Sequence, residues 1–185
     1  MKVNICLSSN NNVSEGKLLS PKNEGDVGYD LVAASYPRIV GDVYMEKLYK
    51  KVYFLEYDTN ISIEPSKDEF NDYEIYANVF PRSSISKYNL ALCNSVGVID
   101  SGYSDTIKLR FKYIPQPENY YIINENEAPL NQANLVLGID ESMIYSKGDK
   151  IGQLVFSKHV HPKIFLVDSL GGSQRGEGGF GSTGK

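Results

Sequence analysis

The chain has 185 residues, 41% hydrophobic and 23% charged, with a formal net charge of −4 and a pI near 5.2. That length suits one domain with a sizeable core, and the acidic balance argues against a polyanion-binding surface, so any phosphate site must be local. Cys6 and Cys93 lack metal-ligand spacing and point to reduced thiols in a cytosolic or similar compartment; no signal-peptide core or membrane-length apolar run is present.

Lys2 to Leu7 alternates and predicts a first strand, followed by an Asn- and Ser-rich loop over Ser8 to Ser14. Gly28-Tyr29-Asp30-Leu31 comes next. Gly28 permits a turn or a close approach. Asp30 either caps its own backbone, the commoner fate of such a carboxylate, or faces a ligand. Residues 38–63 predict two strands, around Val52–Leu55 and Ile61–Ile63, and Lys67 to Asp72 a charged turn. Tyr73 to Phe80 is a β-rich run that Pro81 stops. In Arg82-Ser83-Ser84 a guanidinium and two hydroxyls suit phosphoryl oxygens. Ser83 or Ser84 before Ile85 equally suits the N-cap of a short helix, and the two roles are compatible.

Asn94 to Tyr103 reads Asn-Ser-Val-Gly-Val-Ile-Asp-Ser-Gly-Tyr and predicts a hairpin turning at Ser101-Gly102. Asn94 lies on the incoming arm, and Asp100 and Tyr103 flank the reversal. The amide can read a flat heterocycle, the ring can stack on a base or sugar, and the carboxylate can take a proton from water. An ordinary capped hairpin would carry the same residue types. Asp105 to Tyr113 then alternates, with Ile107, Leu109, Phe111 and Tyr113 on one face and Thr106, Lys108, Arg110 and Lys112 on the other, as in a half-buried strand with a solvated basic face.

Pro115 to Lys147 is long for a connection; strands are predicted at Tyr120–Ile123 and Leu135–Ile139 around a polar Asn124–Gln132. Lys150 to Phe156 is a further strand with Gln153 in its middle, able to bond a phosphoryl oxygen or a neighbouring strand. His159 and His161 share a face, but two imidazoles without a third ligand are weak evidence of a metal site and read as surface or core residues. Many short strands, Gly and Pro turns and no amphipathic helix predict an all-β fold.

Residues 175–184 read Arg-Gly-Glu-Gly-Gly-Phe-Gly-Ser-Thr-Gly. Such a stretch cannot build a core element, but its free N–H groups suit anions. Arg175 adds a forked cation for a terminal phosphate, and Phe180 offers a stacking face. Without ligand it is expected to be a loose end. Gly179 to Lys185 imitates part of a P-loop but lacks the Ser/Thr and the strand-to-helix frame.

Taken together, Gly28–Leu31, Pro81–Ser84, Gly97–Tyr103, Gly148–Leu154 and the tail resemble, in order, the five motifs of the homotrimeric dUTP pyrophosphatases. The resemblance implies a distorted jelly-roll β-barrel over residues 1–170 and a flexible Gly-rich C-terminal tail, 171–185, that closes over a neighbouring active site. It implies hydrolysis of dUTP to dUMP and pyrophosphate with Mg²⁺, which limits uracil in DNA and supplies dUMP for dTMP synthesis. Asp100 corresponds to the general base. Asn94 and the Gly97 and Val98 backbone correspond to the uracil reader, and Tyr103 to the residue packed on deoxyribose. Arg82, Ser83, Ser84 and Gln153 correspond to phosphate ligands, and Asp30 to a residue that reaches the metal through water. Arg175, Gly178, Gly181, Ser182 and Thr183 would close over the triphosphate, with Phe180 stacked on uracil. Implied partners are dUTP and two further copies in a homotrimer, without direct nucleic-acid or membrane binding. The implied location is the cytoplasm, or the host cytoplasm or nucleus for a virus-encoded chain.

An insert at about 114–147 and Gly102 resemble phage-encoded members, in which the insert is a candidate surface for a regulatory protein. Lys150 stands where the family often has Arg, Gly152 for a usual Ala, and Gly102 and Ser104 for a common Asp and a common Arg or Gln. Lys150 keeps the charge but loses the fork, which puts the fourth motif's ion pair in question. Two alternatives share the fold: a dCTP deaminase relative, whose members lack this tail, and a nucleotide-sensing protein that binds a repressor.

Overall fold

β-branched and aromatic residues at alternating positions set the architecture. The computed structural model describes residues 3–8, 16–65, 74–124, 134–160 and 162–172. The expected Lys67–Asp72 turn, His161, most of the Ser8–Ser14 loop and residues 175–184 lie outside them.

Among the described residues there is no α-helix. The strands are β1 (Val3–Leu7), β2 (Leu18–Leu19), β3 (Tyr29–Val32), β4 (Arg38–Met45), β5 (Leu48–Asp58), β6 (Ile61–Pro65), β7 (Glu74–Phe80), β8 (Leu90–Leu92), β9 (Gly97–Ile99), β10 (Lys108–Tyr113), β11 (Tyr120–Ile123), β12 (Asn134–Gly138) and β13 (Lys150–His159). One sheet runs β2-β3-β13-β7-β9; a second runs β11-β12-β5-β10-β8, with β4 also on β5; β1 and β6 form a third. The pairings are antiparallel.

Between the two large sheets lies the core. Leu55 and Tyr57 of β5 and Leu109 and Phe111 of β10 join Leu31, Ala77, Val79, Ile151 and Leu154 of the opposite sheet in one buried cluster. Each large side chain there is worth roughly 1.5–3 kcal/mol of burial. The rings of Tyr57, Phe111 and Tyr145 meet edge to face. Tyr57 donates its hydroxyl to the Tyr145 carbonyl at 2.9 Å, and burial pushes its phenol up. Burial also pushes the Tyr145 phenol up to about 12; Ser84 lies beside its hydroxyl and partly offsets the shift without forming an aligned hydrogen bond.

Gly152 marks a close approach of the two large sheets. A Cβ there would lie 2.7 Å from Leu109 Cδ2 and 3.2 Å from the Phe80 carbonyl oxygen. The register of β13 against β3 shifts between Lys150 and Gly152.

Two local expectations change. The turn at Asp100–Tyr103 forms, with the Tyr103 N–H donating to the Asp100 carbonyl at 3.0 Å, but it does not join a hairpin. β9 pairs with β7 while β10 pairs with β5 and β8, so the arms belong to different sheets. The alternating β10 must deliver Leu109 and Phe111 to the core from the opposite side. Residues Ser83–Lys87 form a 3-10 helix capped by Arg82 with no side-chain cap bond, so neither Ser83 nor Ser84 is an N-cap. Five residues are too short for a useful helix dipole at a phosphate.

Candidate functional site

The described site residues, Ser83 and Ser84 apart, fall into two clefts that share no lining residue. The first, about 740 Å³, is lined by Asn94, Gly97, Val98, Asp100 and Tyr103, with Arg38, Glu56, Lys108 and Arg110 along its sheet side. That volume is of the size that holds a small-molecule ligand. β9 brings Gly97 and Val98 beside β7, and the turn after it aims Asp100 and Tyr103 at the same space. At Gly97 a Cβ would lie 3.3 Å from the Asn94 side-chain nitrogen, so the missing side chain lets that amide close on the backbone. Tyr103 is exposed and donates its hydroxyl to the Thr106 carbonyl at 3.1 Å, which fixes the ring at the cleft mouth.

The cations of this cleft are already matched. Glu56 accepts from Arg38 Nη2 at 2.8 Å and from Arg110 Nε at 2.7 Å. Burial alone would raise Glu56, but these two donors outweigh it and hold the carboxyl below its ordinary value. The Arg110 guanidinium also lies 4.6 Å from the Phe54 ring centre. Lys108 pairs with Asp105 at 2.9 Å; that contact raises the lysine and lowers the carboxyl. Lys108 and Arg110 lie on the solvated face expected of β10 and also line the Asp100 cleft, where Glu56 and Asp58 of β5 and the nearby Asp105 face them.

A second cleft, about 850 Å³, is lined by the β2–β3 loop together with Asp30, Arg82, Lys150 and Gln153. β13 lies between β3 and β7, and its register sets Gln153 beside Asp30 on one side and Phe80 on the other. Lys150 Nζ meets Asp30 Oδ2 at 2.7 Å, so the fourth motif keeps its ion pair with Lys in place of Arg. Arg82 Nε lies 3.0 Å from Asp30 Oδ1, a charge pairing in which the N–H is not aimed along the contact as a hydrogen bond requires. Gln153 Nε2 approaches the same oxygen at 3.4 Å. Asp30 is therefore a counter-ion rather than a self-capping turn residue.

Ser83 is exposed and its carbonyl accepts from Ser86. Neither Ser83 nor Ser84 is among the residues lining the two clefts. His159 is exposed and packs edge-on to Tyr76. Arg175, Gly178, Phe180, Gly181, Ser182 and Thr183 lie outside the described residues. Among the described residues no three His, Cys, Asp or Glu side chains cluster to hold a metal. A Mg²⁺ carried by phosphate oxygens and water needs only one nearby carboxylate, and the polar, partly neutralised lining at Asp30 fits that. Sequence reading missed the β2–β3 loop as a cleft wall, although its Pro21-Lys22-Asn23-Glu24-Gly25-Asp26 composition signals a shaped turn.

Comparison with known proteins adds to this geometry. The dUTPase family model matches residues 117–184. The deoxyuridine 5′-triphosphate nucleotidohydrolase of Alkaliphilus metalliredigens (strain QYMF) is 30% identical over 183 residues, 98% of this chain and 97% of that protein. Its counterpart in Desulfitobacterium hafniense (strain DSM 10664 / DCB-2) is 38% identical over 109 residues, 58% of this chain, and the match spans 56% of that relative's length. Among solved structures, the Staphylococcus bacteriophage 80alpha dUTPase with dUPNHPP aligns with 100% of this chain and 99% of its own, with a TM-score of 0.65 and 22% identity. A mutant dUTPase of phage phi11, whose structure details a structural Mg(II) ion, covers 91% of this chain and 98% of its own with a TM-score of 0.57 and 20% identity. At those identities the structural likeness speaks to the fold, an all-β jelly roll.

Proposed function

This chain belongs to the dUTPase family, and on that premise we propose that it hydrolyses dUTP to dUMP and pyrophosphate. The observation that carries the reading is the gathering of Asn94, Gly97, Val98, Asp100 and Tyr103 in one cleft of nucleoside size. In this reading Asn94 and the Gly97 and Val98 backbone read the uracil edge, and Tyr103 packs on the deoxyribose. Asp100 is the general base that takes a proton from the water attacking the α-phosphorus. Arg82 and Gln153, with Ser83 and Ser84 nearby, hold phosphates, and the residues of the tail complete the enclosure. Mg²⁺ bound to the triphosphate would neutralise charge on its oxygens, with Asp30 reaching it through water. The remaining catalysis is positioning of a charged chain by convergent groups.

We further propose a homotrimer with shared sites. The first cleft has the base-reading residues, but its cations are matched by Glu56, Asp58 and Asp105. The polar and cationic lining suited to phosphates is in the second cleft. A nucleotide needs both, and subunits that supply different clefts and tails to one site meet that need. Ile164, Phe165, Leu166, Val167 and Leu170 form an exposed apolar run beyond β13, of the kind that calls for a neighbouring surface. The barrel domain is 1–170 and the closing tail 171–185. Exposed Tyr120, Tyr121, Ile122 and Leu135 on the 114–147 insert make it the candidate surface for a regulatory protein.

Pyrophosphate release measured across dUTP, dCTP, dTTP and UTP tests the activity. Selective turnover of dUTP is expected, and ammonia release from dCTP would overturn the reading. Mixing Asp100→Ala with a chain truncated after Leu170 tests the shared site, because each defect damages only the site to which that subunit contributes that motif. Activity should return in mixed trimers. Its absence, with mixed trimers confirmed by mass, excludes sharing.

A further inference from the structure

The second cleft carries a cation to which the roles above assign nothing. Lys22 lies in the loop between β2 and β3, and that loop is held in a defined shape. Leu18 and Leu19 pair with Leu31 and Asp30, which anchors the loop's start on the β3 backbone at Asp30. Asn23 donates its backbone N–H and its side-chain amide to Asp26 Oδ2 at 3.2 and 2.9 Å. Gly25, with φ of +91°, turns the chain back. Lys22 is thereby presented on the wall of the cleft that also contains Arg82, Lys150 and Gln153.

The charges of this cleft differ in how far they are already matched. Arg82 and Lys150 both face Asp30, at 3.0 and 2.7 Å. Asp26, the other carboxylate of the lining, is occupied in capping its own turn. Lys22 is exposed and, among the described residues, has no ion-pair partner. A phosphate chain entering the cleft finds two guarded cations and one free ammonium, and the free one attracts it without a competing carboxylate. An ammonium on a four-carbon stem, with three donors and no fixed plane, can follow an oxygen as it moves.

We propose that Lys22 is a further phosphate-binding residue, engaging the phosphoryl oxygens beyond the α-phosphate of a nucleoside triphosphate. The proposal rests on the dUTP reading and extends it to a residue outside the five motifs. Because uracil and deoxyribose are assigned to the other cleft, the contribution of Lys22 grows with the number of phosphates and vanishes for dUMP.

The test measures binding of dUMP, dUDP and the imido analogue dUpNHpp to the full chain, its Lys22→Met, Lys22→Gln and Lys22→Arg variants, and a Lys50→Met control on the outer part of β5. Loss of about tenfold in dUpNHpp affinity is expected for Lys22→Met and Lys22→Gln, in the range of a charge-assisted hydrogen bond. A smaller loss is expected for dUDP and none for dUMP. Lys22→Arg should retain most of the affinity, and Lys50→Met all of it. Unchanged dUpNHpp affinity in both neutral variants, in a protein that still turns over dUTP, overturns the role of Lys22 and leaves the dUTP reading standing. Equal losses for dUMP and dUpNHpp also overturn it, since they report a displaced loop rather than a lost phosphate contact. A wild-type chain that neither binds dUpNHpp nor releases pyrophosphate from dUTP overturns the underlying reading, and Lys22's role with it.

Discussion

Asp30 lies at 13% side-chain exposure between two cations, whereas Asp100 sits at the open end of a turn and makes no ion pair among the described residues. Both are aspartates in clefts of similar size. One is engaged by Lys150 and Arg82. The other is exposed on the cleft wall. The contrast separates a residue that organises cations from one left open to the cleft, and residue type alone cannot make that distinction.

The sharpest way to break the comparison is to neutralise each carboxylate. Asp100→Asn preserves shape but cannot accept a proton, and turnover should fall by about 10²- to 10⁴-fold. Binding of dUpNHpp should persist, measured by calorimetry. Turnover near wild type would remove Asp100 from the role of base. Asp30→Asn should act on the fold as well as on the site. It leaves Lys150 and Arg82 facing each other without a counter-charge. Both cations are partly exposed, at 36% and 28%, so water screens them and the loss in denaturant stability should be about 1–2 kcal/mol, below that of a fully buried pair. Lys150→Arg should restore the more usual fork at little cost. If Asp30→Asn and Asp100→Asn prove equally silent in stability, the distinction between the two clefts is wrong.

Gly152 sharpens the comparison because it joins the regions: it lies on β13 beside Lys150 and Gln153, and its neighbour Leu109 lines the Asp100 cleft. Gly152→Ala should destabilise by about 1 kcal/mol, the low end of an overpacked core, and Leu109→Val should recover part of it. Full additivity of the two changes would mean that they do not touch.

The smallest effect concerns pH. Glu56 has a folded pKa below its ordinary value of 4.5. Its contribution is therefore present above pH 4.5 and is lost as pH falls through the lower folded pKa. Acid titration of stability should show a shallower decline below pH 4.5 in Glu56→Gln than in wild type. An identical decline would mean that Arg38 and Arg110 do not favour the ionised form.

The alternation of Ile107 to Tyr113 gave away β10 because that strand has one buried and one wet face. β7 and β13 were legible as β-rich runs, although the start of β13 buries Ile151 and Gly152 in succession. Residues 38–63 were harder: two strands were expected and three form. From Leu48 to Tyr53, β5 has no fully buried residue and exposes Lys50 and Lys51, so its strand character comes from pairing with β4 and β12. In the site, Asn94, Gly97, Val98, Asp100 and Tyr103 were legible because they are close in sequence. The ion pair of Asp30 with Lys150 spans 120 residues. No local pattern reveals such a partner; only the insertion of β13 beside β3 does.

That insertion also bears on how the molecule comes to exist. β13 occupies the middle of its sheet, between β3 and β7, yet it is the last of these strands to be synthesised. Until residues 150–159 have emerged, β3 and β7 each present an unpaired edge, the kind of surface on which nascent chains associate wrongly. That sheet cannot be completed before β13 is available to fill the gap. A ribosome stalled before that point would leave the chain far more prone to aggregate than one stalled after it.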